Sequence, residues 1–222
     1  MPPPDSPDRS AFGELREAMV DKQLRDRGID DERVLAAMAQ VPRERYVPKE
    51  VRHRAYDDSA LPLSHHQTIS QPWVVAAICQ GLELAGNEDV LEIGTGSGYS
   101  AAVLSLLAKR VWSVERIPEL AGAAGAVLAD ARLDNVEVVV GDGSRGLPEH
   151  APYGGIAVHA ATPDTPLSLL DQLADGGRLS APVAAGSSEV LMAFARSGEV
   201  LHRRPLGPVR FVPLIGEEGF DA

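Results

Sequence analysis

Cysteine is almost missing from this chain: Cys79 is the only one in 222 residues. A lone thiol excludes an intrachain disulfide and is compatible with a reducing, cytoplasmic setting. It stands in the apolar helical run Val74-Val-Ala-Ala-Ile-Cys79, which marks it for core packing rather than nucleophilic catalysis. Basic excess is missing too. The formal net charge is -11, so nothing supplies the electrostatic footprint of a nucleic-acid binder. No apolar run approaches the length of a bilayer span, and no membrane association is expected. The opening Met1-Pro-Pro-Pro-Asp5 lacks the basic start and apolar centre of a signal peptide. Proline-rich and polar, residues 1–9 are expected to be disordered. Histidines and cysteines never fall at metal-ligand spacing, so no metal site is expected.

The length allows one α/β unit with a real core. Phe12, Leu15, Met19 and Leu24 recur at helical spacing and Gly28 ends that helix. A second helix begins near Asp30, an N-cap candidate, and buries Val34, Leu35, Met38 and Val41. A third, short one covers Glu50–Tyr56, and Asp57–Ser70 reads as a loop. A helix resumes at Gln71 with Pro72 in its first turn and runs to about Leu84. Residues 10–70 are therefore read as a helical extension with a substrate loop.

From Asp89 strands and helices alternate, which means parallel βαβ units with right-handed crossovers. The strands read as Asp89–Ile93, Arg110–Glu115, Val136–Gly141, Ile156–Ala160 and Arg178–Val183, with helices at Tyr99–Ala108, Pro118–Leu133 and Pro166–Ala174. After Gly186 a hairpin, Val190–Arg196 and Val200–Arg203, and a last strand, Val209–Leu214, finish the chain antiparallel. The expected fold is a Rossmann-like, mostly parallel sheet over 71–222.

Ligands of such sheets lie at the carboxyl ends of the strands, where strand order reverses. Asp89-Val-Leu-Glu-Ile-Gly-Thr-Gly-Ser-Gly-Tyr99 runs a strand into a three-glycine turn and a helix, so backbone N–H groups can meet a ligand closely. Gly94, Thr95, Gly96, Ser97 and Gly98 are the cofactor candidates there. Glu92 is expected at the mouth of the turn, where an acid repels a pyrophosphate and attracts an ammonium group. Glu115, followed by Arg116, closes the second strand, where a carboxylate can accept from both ribose hydroxyls. Asp142 and Gly143 follow the third, where an acid can reach an adenine amino group. Together these features favour S-adenosylmethionine over a dinucleotide.

Ser70 reads two ways. Before Gln71-Pro72 it suits a helix N-cap, worth roughly 1 kcal/mol, and it can equally position an acceptor opposite the cofactor. His65 and His66 are loop histidines, mostly solvated types that can also act as bases near neutral pH. His159, ending the fourth strand, can reach the pocket or face a helix. Trp73 is read as a half-buried wall.

The blocks Gln67-Thr-Ile-Ser-Gln-Pro72, Val90-Leu-Glu-Ile-Gly-Thr-Gly-Ser-Gly-Tyr99, Asn135-Val-Glu-Val-Val-Val-Gly-Asp-Gly143 and Gly207-Pro-Val-Arg-Phe-Val-Pro-Leu214 occur in this order. Together they resemble the protein-L-isoaspartate O-methyltransferase family, as do Met19–Leu24 and Val41–Pro48, and the resemblance covers roughly residues 15–216. The glycine block is shared with most class I methyltransferases; the Thr-Ile-Ser-Gln-Pro and Arg-Phe-Val-Pro-Leu blocks are more specific. The resemblance implies methyl transfer from S-adenosylmethionine to the free α-carboxylate of isoaspartyl residues in damaged proteins. The ester then cyclises to a succinimide whose hydrolysis partly restores aspartate. It implies Ser70 as the catalytic serine, Thr68 and Ile69 beside the reacting carboxylate, and Val209–Leu214, with Val212 and Pro213, as the segment holding the peptide. A monomeric cytoplasmic enzyme is the expectation, with methylation of normal aspartate in a dedicated partner and a non-catalytic adaptor as rivals.

Three departures from that family stand out. Ser64-His65-His66 replaces an expected Gly-Tyr-Gly, Gly154 replaces an expected aspartate after Tyr153, and His159 takes a place where a small residue is common.

Overall fold

The computed structural model describes residues 9–221. The expected disordered tail therefore lies outside the described residues, save Arg9. Helix α1 (Arg9–Ala18) continues through a π-helical turn at Met19–Leu24 and a 3-10 turn at Arg25–Arg27 to Gly28, whose φ is 89°. Phe12, Met19 and Leu24 are buried as their spacing predicts, but Leu15 is 46% exposed. Helix α2 (Glu32–Gln40) is capped by Asp31 rather than Asp30. The Asp31 carboxylate accepts from the N–H groups of Arg33 and Val34. Gln80 Oε1 instead accepts from the N–H groups of Asp30 and Asp31, which ties the entry of α2 to the segment behind it. The expected helix at Glu50–Tyr56 is a 3-10 stretch, Lys49–Arg54.

The segment read as a loop contains a small antiparallel hairpin, β1 (Leu61–Pro62) and β2 (Thr68–Ile69). Its turn closes with Gln67 N–H donating to the Ser64 carbonyl at 3.1 Å. His65 and His66 have φ of 56° and 57°, both left-handed, as a type I′ turn requires. Helix α3 (Pro72–Leu82) follows, with proline in its first turn.

The remaining elements are β3 (Asp89–Ile93), α4 (Tyr99–Ser105), β4 (Arg110–Glu115), α5 (Pro118–Asp130), β5 (Val136–Val140), β6 (Tyr153–Val158), α6 (Leu167–Leu170), β7 (Leu173–Ala185), β8 (Ser188–Ser197) and β9 (Val200–Val209). They form one seven-stranded sheet in the order β5-β4-β3-β6-β7-β8-β9. The pairs from β5 to β7 are parallel, and β8 and β9 are added antiparallel. The chain belongs to the α/β Rossmann-like class with antiparallel C-terminal strands.

Two expectations are corrected here. The helix read at Pro166–Ala174 is a single turn, because Leu173 already pairs with Tyr153 in β7. Gly176-Gly177 sits in a register shift inside that strand, not at a helix end. The strand read at Val209–Leu214 does not form either; β9 stops at Val209. The chain then crosses the carboxyl end of β6, where Ala161 N–H donates to the Val212 carbonyl and Leu214 N–H to the Ala161 carbonyl, each at 2.8 Å.

Side-chain alternation on β3 divides two cores. Val90 packs with α3, α4 and the N-terminal helices, while Leu91 and Ile93 pack on the opposite face with Trp112, Ile156 and Phe194. Glu92 therefore points toward α3 and α4. None of the helices among the described residues is long and apolar enough to cross a membrane.

Candidate active site

The chain leaves β3 for β4 and β5 on one side, then returns to β6 on the other. The strand ends diverge there, and a cavity of about 320 Å³ opens above β3. Gly94, Thr95, Gly96 and Ser97 line one wall, Glu115, Arg116 and Gly143 another, and the β1–β2 hairpin with Val212–Ile215 a third, with Ser100 and His159 also on the lining.

Three cofactor candidates do not line it. Gly98 (φ 82°) serves packing: a Cβ there would come within 3.3 Å of Ala124 Cβ and 3.4 Å of Leu128, so its absence lets α5 lie against the start of α4. Asp142 does not reach into the cavity. Its oxygens accept from Ser144 N–H at 2.9 Å and Glu217 N–H at 2.8 Å, which clasps the returning C-terminal segment. Partial burial opposes its charge, yet the Glu217 and Ser144 donors hold its carboxyl below the usual range. Glu92 is not at the mouth of the turn but beneath it, with no solvent exposure.

Glu115 ends β4 on the cavity wall. It is 7% exposed and lines the cavity, with Oε2 accepting from Gly96 N–H at 2.9 Å and Oε1 from Ile117 N–H at 3.0 Å. Those bonds fix the carboxylate and shape the glycine turn around it. Arg116 beside it is exposed.

Under the turn lies a polar cluster. Ser113 Oγ donates to Glu92 Oε2 and lies 2.5 Å from Thr95 Oγ1. The Ser100 hydroxyl and His159 Nε2 are 2.6 Å apart, and that nitrogen is 3.5 Å from Glu92 Oε1, which has no hydrogen-bond partner. Burial pushes Glu92 up to about 7, against the hydrogen bond from Ser113 and the pull of the nearby Ser100 hydroxyl. Burial also pushes His159 down to about 4. The distance would suit an ion pair, but both shifts favour the uncharged forms: the ring is neutral near pH 7, and the carboxyl keeps its proton well above the usual carboxylate range.

A second, smaller cavity of about 220 Å³ lies on the outer side, between Trp73, Arg27 and Pro208–Phe211. Trp73 is half-buried, donates from Nε1 to the Arg27 carbonyl and carries the Arg27 guanidinium 5.3 Å above its ring. Four residues line both cavities: Thr68, Ser70, His159 and Val212. Ile69 and Pro213 line only the first.

Ser70 does not cap α3. The N-cap residue is Gln71, and no side chain caps that end. The Ser70 carbonyl accepts from Arg43 Nη2 at 2.7 Å. Arg43 is fully buried, donates also to the Ala55 carbonyl at 2.8 Å, and lies 4.8 Å above the Tyr99 ring. Sequence reasoning passed over Arg43; its only signal was its place in the Val41–Pro48 block. Cys79 is buried in the core, and burial pushes its thiol up.

The family model described as protein-L-isoaspartate(D-aspartate) O-methyltransferase matches residues 14–219. A protein-L-isoaspartate O-methyltransferase 1 of Rhodopseudomonas palustris is 52% identical over 220 residues, covering 98% of this chain and 90% of the relative. One from Methanoculleus marisnigri is 51% identical over 206 residues, covering 93% and 94%. A solved protein-L-isoaspartate O-methyltransferase superposes with a TM-score of 0.82 at 29% identity, over 92% of this chain and 67% of that one. A Plasmodium falciparum structure, described as a complex with S-adenosyl-L-homocysteine, shares the fold at 0.78 and 24% identity, over 90% and 98%.

Proposed function

The chain belongs to the protein-L-isoaspartate(D-aspartate) O-methyltransferase family, and we propose that it esterifies the free α-carboxylate of isoaspartyl residues in damaged proteins, using S-adenosylmethionine. The residues around the cavity above β3 fit that cofactor. The volume of about 320 Å³ suits a small nucleoside ligand, and a buried carboxylate, Glu115, stands against the glycine turn. Each Glu115 oxygen receives one backbone N–H and keeps lone-pair capacity for a ribose hydroxyl. Gly94–Ser97 and Gly143 bring main chain to the cavity wall. Bound there, the cofactor supplies an electrophilic methyl group on a cationic sulfur.

The outer cavity receives the peptide. Thr68 and Val212, which line both cavities, border the acceptor, Ile69 and Pro213 approach it from the cofactor side, and the Ser70 hydroxyl orients its carboxylate. A carboxylate is already ionised at neutral pH, so no general base is required. The work left to the protein is alignment and partial exclusion of water. A hydroxyl suits that work, because it directs an oxygen without neutralising the charge that attacks. The observation that carries this reading is that Ser70 borders both cavities while leaving the helix start uncapped. Residues 10–70 act in this scheme as the cover over a cofactor-binding unit at 71–222, and the enzyme works as a cytoplasmic monomer.

The test offers one peptide in isoaspartyl and aspartyl versions and measures methanol released from the labile ester. Ester on the isoaspartyl version alone is expected. Ester on the aspartyl version alone, or on neither, overturns the proposal.

A further inference from the structure

Of the four residues bordering both cavities, three belong to the β1–β2 hairpin, the segment just after it, and the C-terminal crossing; His159 alone extends from the central sheet. Its N–H donates to the Ile93 carbonyl at 2.8 Å, continuing the β3–β6 ladder. Its side chain is only 6% exposed. Gly94, the first glycine of the turn, packs directly beside it. The imidazole thus occupies the partition between the cavities with Ser100 Oγ at 2.6 Å and Glu92 Oε1 at 3.5 Å from its Nε2.

We propose that His159 is a positioning residue for methyl transfer, fixing the wall between donor and acceptor through the hydrogen bond that Ser100 shares with its ring. This rests on the reading of the two cavities as cofactor and peptide sites. Three observations favour it over simple space filling. A buried polar ring with a short bond to α4 has one orientation, which a filler does not need. Glu92 Oε1 is buried without a hydrogen-bond partner and lies 3.5 Å from this ring, so removing the ring leaves that polar atom more isolated. The other side chains on the partition come from outside the sheet, so the strand-borne ring is the fixed edge against which they close. At neutral pH burial keeps the ring uncharged, so it adds no cation to compete for the acceptor carboxylate.

The test compares wild type with His159→Leu, His159→Gln and Ser100→Ala, measuring kcat and KM for an isoaspartyl peptide and calorimetric affinity for S-adenosylhomocysteine. Leucine keeps bulk and removes the hydrogen bond; glutamine can restore a polar atom near the position of Nε2. Wild-type esterification first establishes the activity itself, and its absence sinks that reading rather than this one. The expected result is a kcat loss of ~10-fold or more in His159→Leu and in Ser100→Ala. S-adenosylhomocysteine affinity stays within about threefold in each, and His159→Gln recovers most of the rate. Wild-type kcat in His159→Leu, or equal losses in the leucine and glutamine variants, overturns the proposal. So does loss confined to S-adenosylhomocysteine affinity.

Discussion

Arg43 holds Ser70 by its backbone: Nη2 donates to the Ser70 carbonyl at 2.7 Å from a guanidinium that solvent does not reach. Nε donates to the Ala55 carbonyl, so one side chain pins both ends of the segment carrying the hairpin. Burial lowers the Arg43 pKa, but a guanidinium titrates so high that it stays charged. Arg43→Met should destabilise the fold by about 2–5 kcal/mol, because the buried Ala55 carbonyl and the partly buried Ser70 carbonyl lose their donor. Urea unfolding measures this. A loss under about 1 kcal/mol would mean that water replaces the guanidinium freely.

Ser70→Ala separates orientation from capping. Removing a true N-cap costs roughly 1 kcal/mol, but Gln71 occupies that position. The substitution should leave the urea midpoint nearly unchanged and lower kcat by ~10- to 100-fold through misalignment. S-adenosylhomocysteine affinity should hold. A stability loss with normal turnover would restore the capping role.

The buried Glu92–His159 pair has a signature in stability against pH. Glu92 is raised from 4.5 to about 7, so alone it makes the folded state less stable as pH rises through that window. His159 is lowered from 6.5 to about 4, so alone it makes the folded state more stable as pH rises between those values. Between pH 4.5 and 6.5 the folded pair binds one proton on Glu92 and the unfolded pair one on His159, so the two slopes cancel. Glu92→Gln removes one side of the balance. Its stability relative to wild type should then climb with pH from 4.5 to 6.5, by up to about 1.4 kcal/mol per unit. Ser113, Ser100, Glu115 and Cys79 also surround Glu92 and remain in both proteins. A flat difference across this range would show that the pair does not divide its protons this way.

The hairpin turn places His66 at φ 57°, where a β-carbon is unfavourable and glycine is at ease. His66→Gly should stabilise the fold by about 1 kcal/mol, relieving left-handed strain. A rise in the urea midpoint measures it; a fall would mean that the imidazole makes contacts worth more than the strain.

Much of this arrangement was legible in the sequence because strands feeding glycine turns announce themselves locally. Asp89–Ile93 and Arg110–Glu115 were read to the residue. Errors arose where one local signal has two meanings. Gly176-Gly177 looks alike at a helix end and in a strand irregularity, and only the pairing of β7 with β6 decides. Glu92 lies in a strand buried on both faces, so alternation could not say that it points under the turn. The clasp that Asp142 makes is not legible locally, because its partner, Glu217, lies 75 residues away. The missing aspartate at 154 has a local reason: a Cβ on Gly154 would lie 2.6 Å from Glu88 Cβ and Cγ, and Glu88 caps the 85–87 loop.

A crystal structure of the chain with S-adenosylhomocysteine and an isoaspartyl peptide bound together is the decisive measurement. The nucleoside should lie against Glu115, its sulfur facing the partition of Ser70 and His159, with the isoaspartyl carboxylate on the far side beside Val212. A nucleoside lodged away from Glu115, or a peptide carboxylate remote from Ser70, would contradict that arrangement outright.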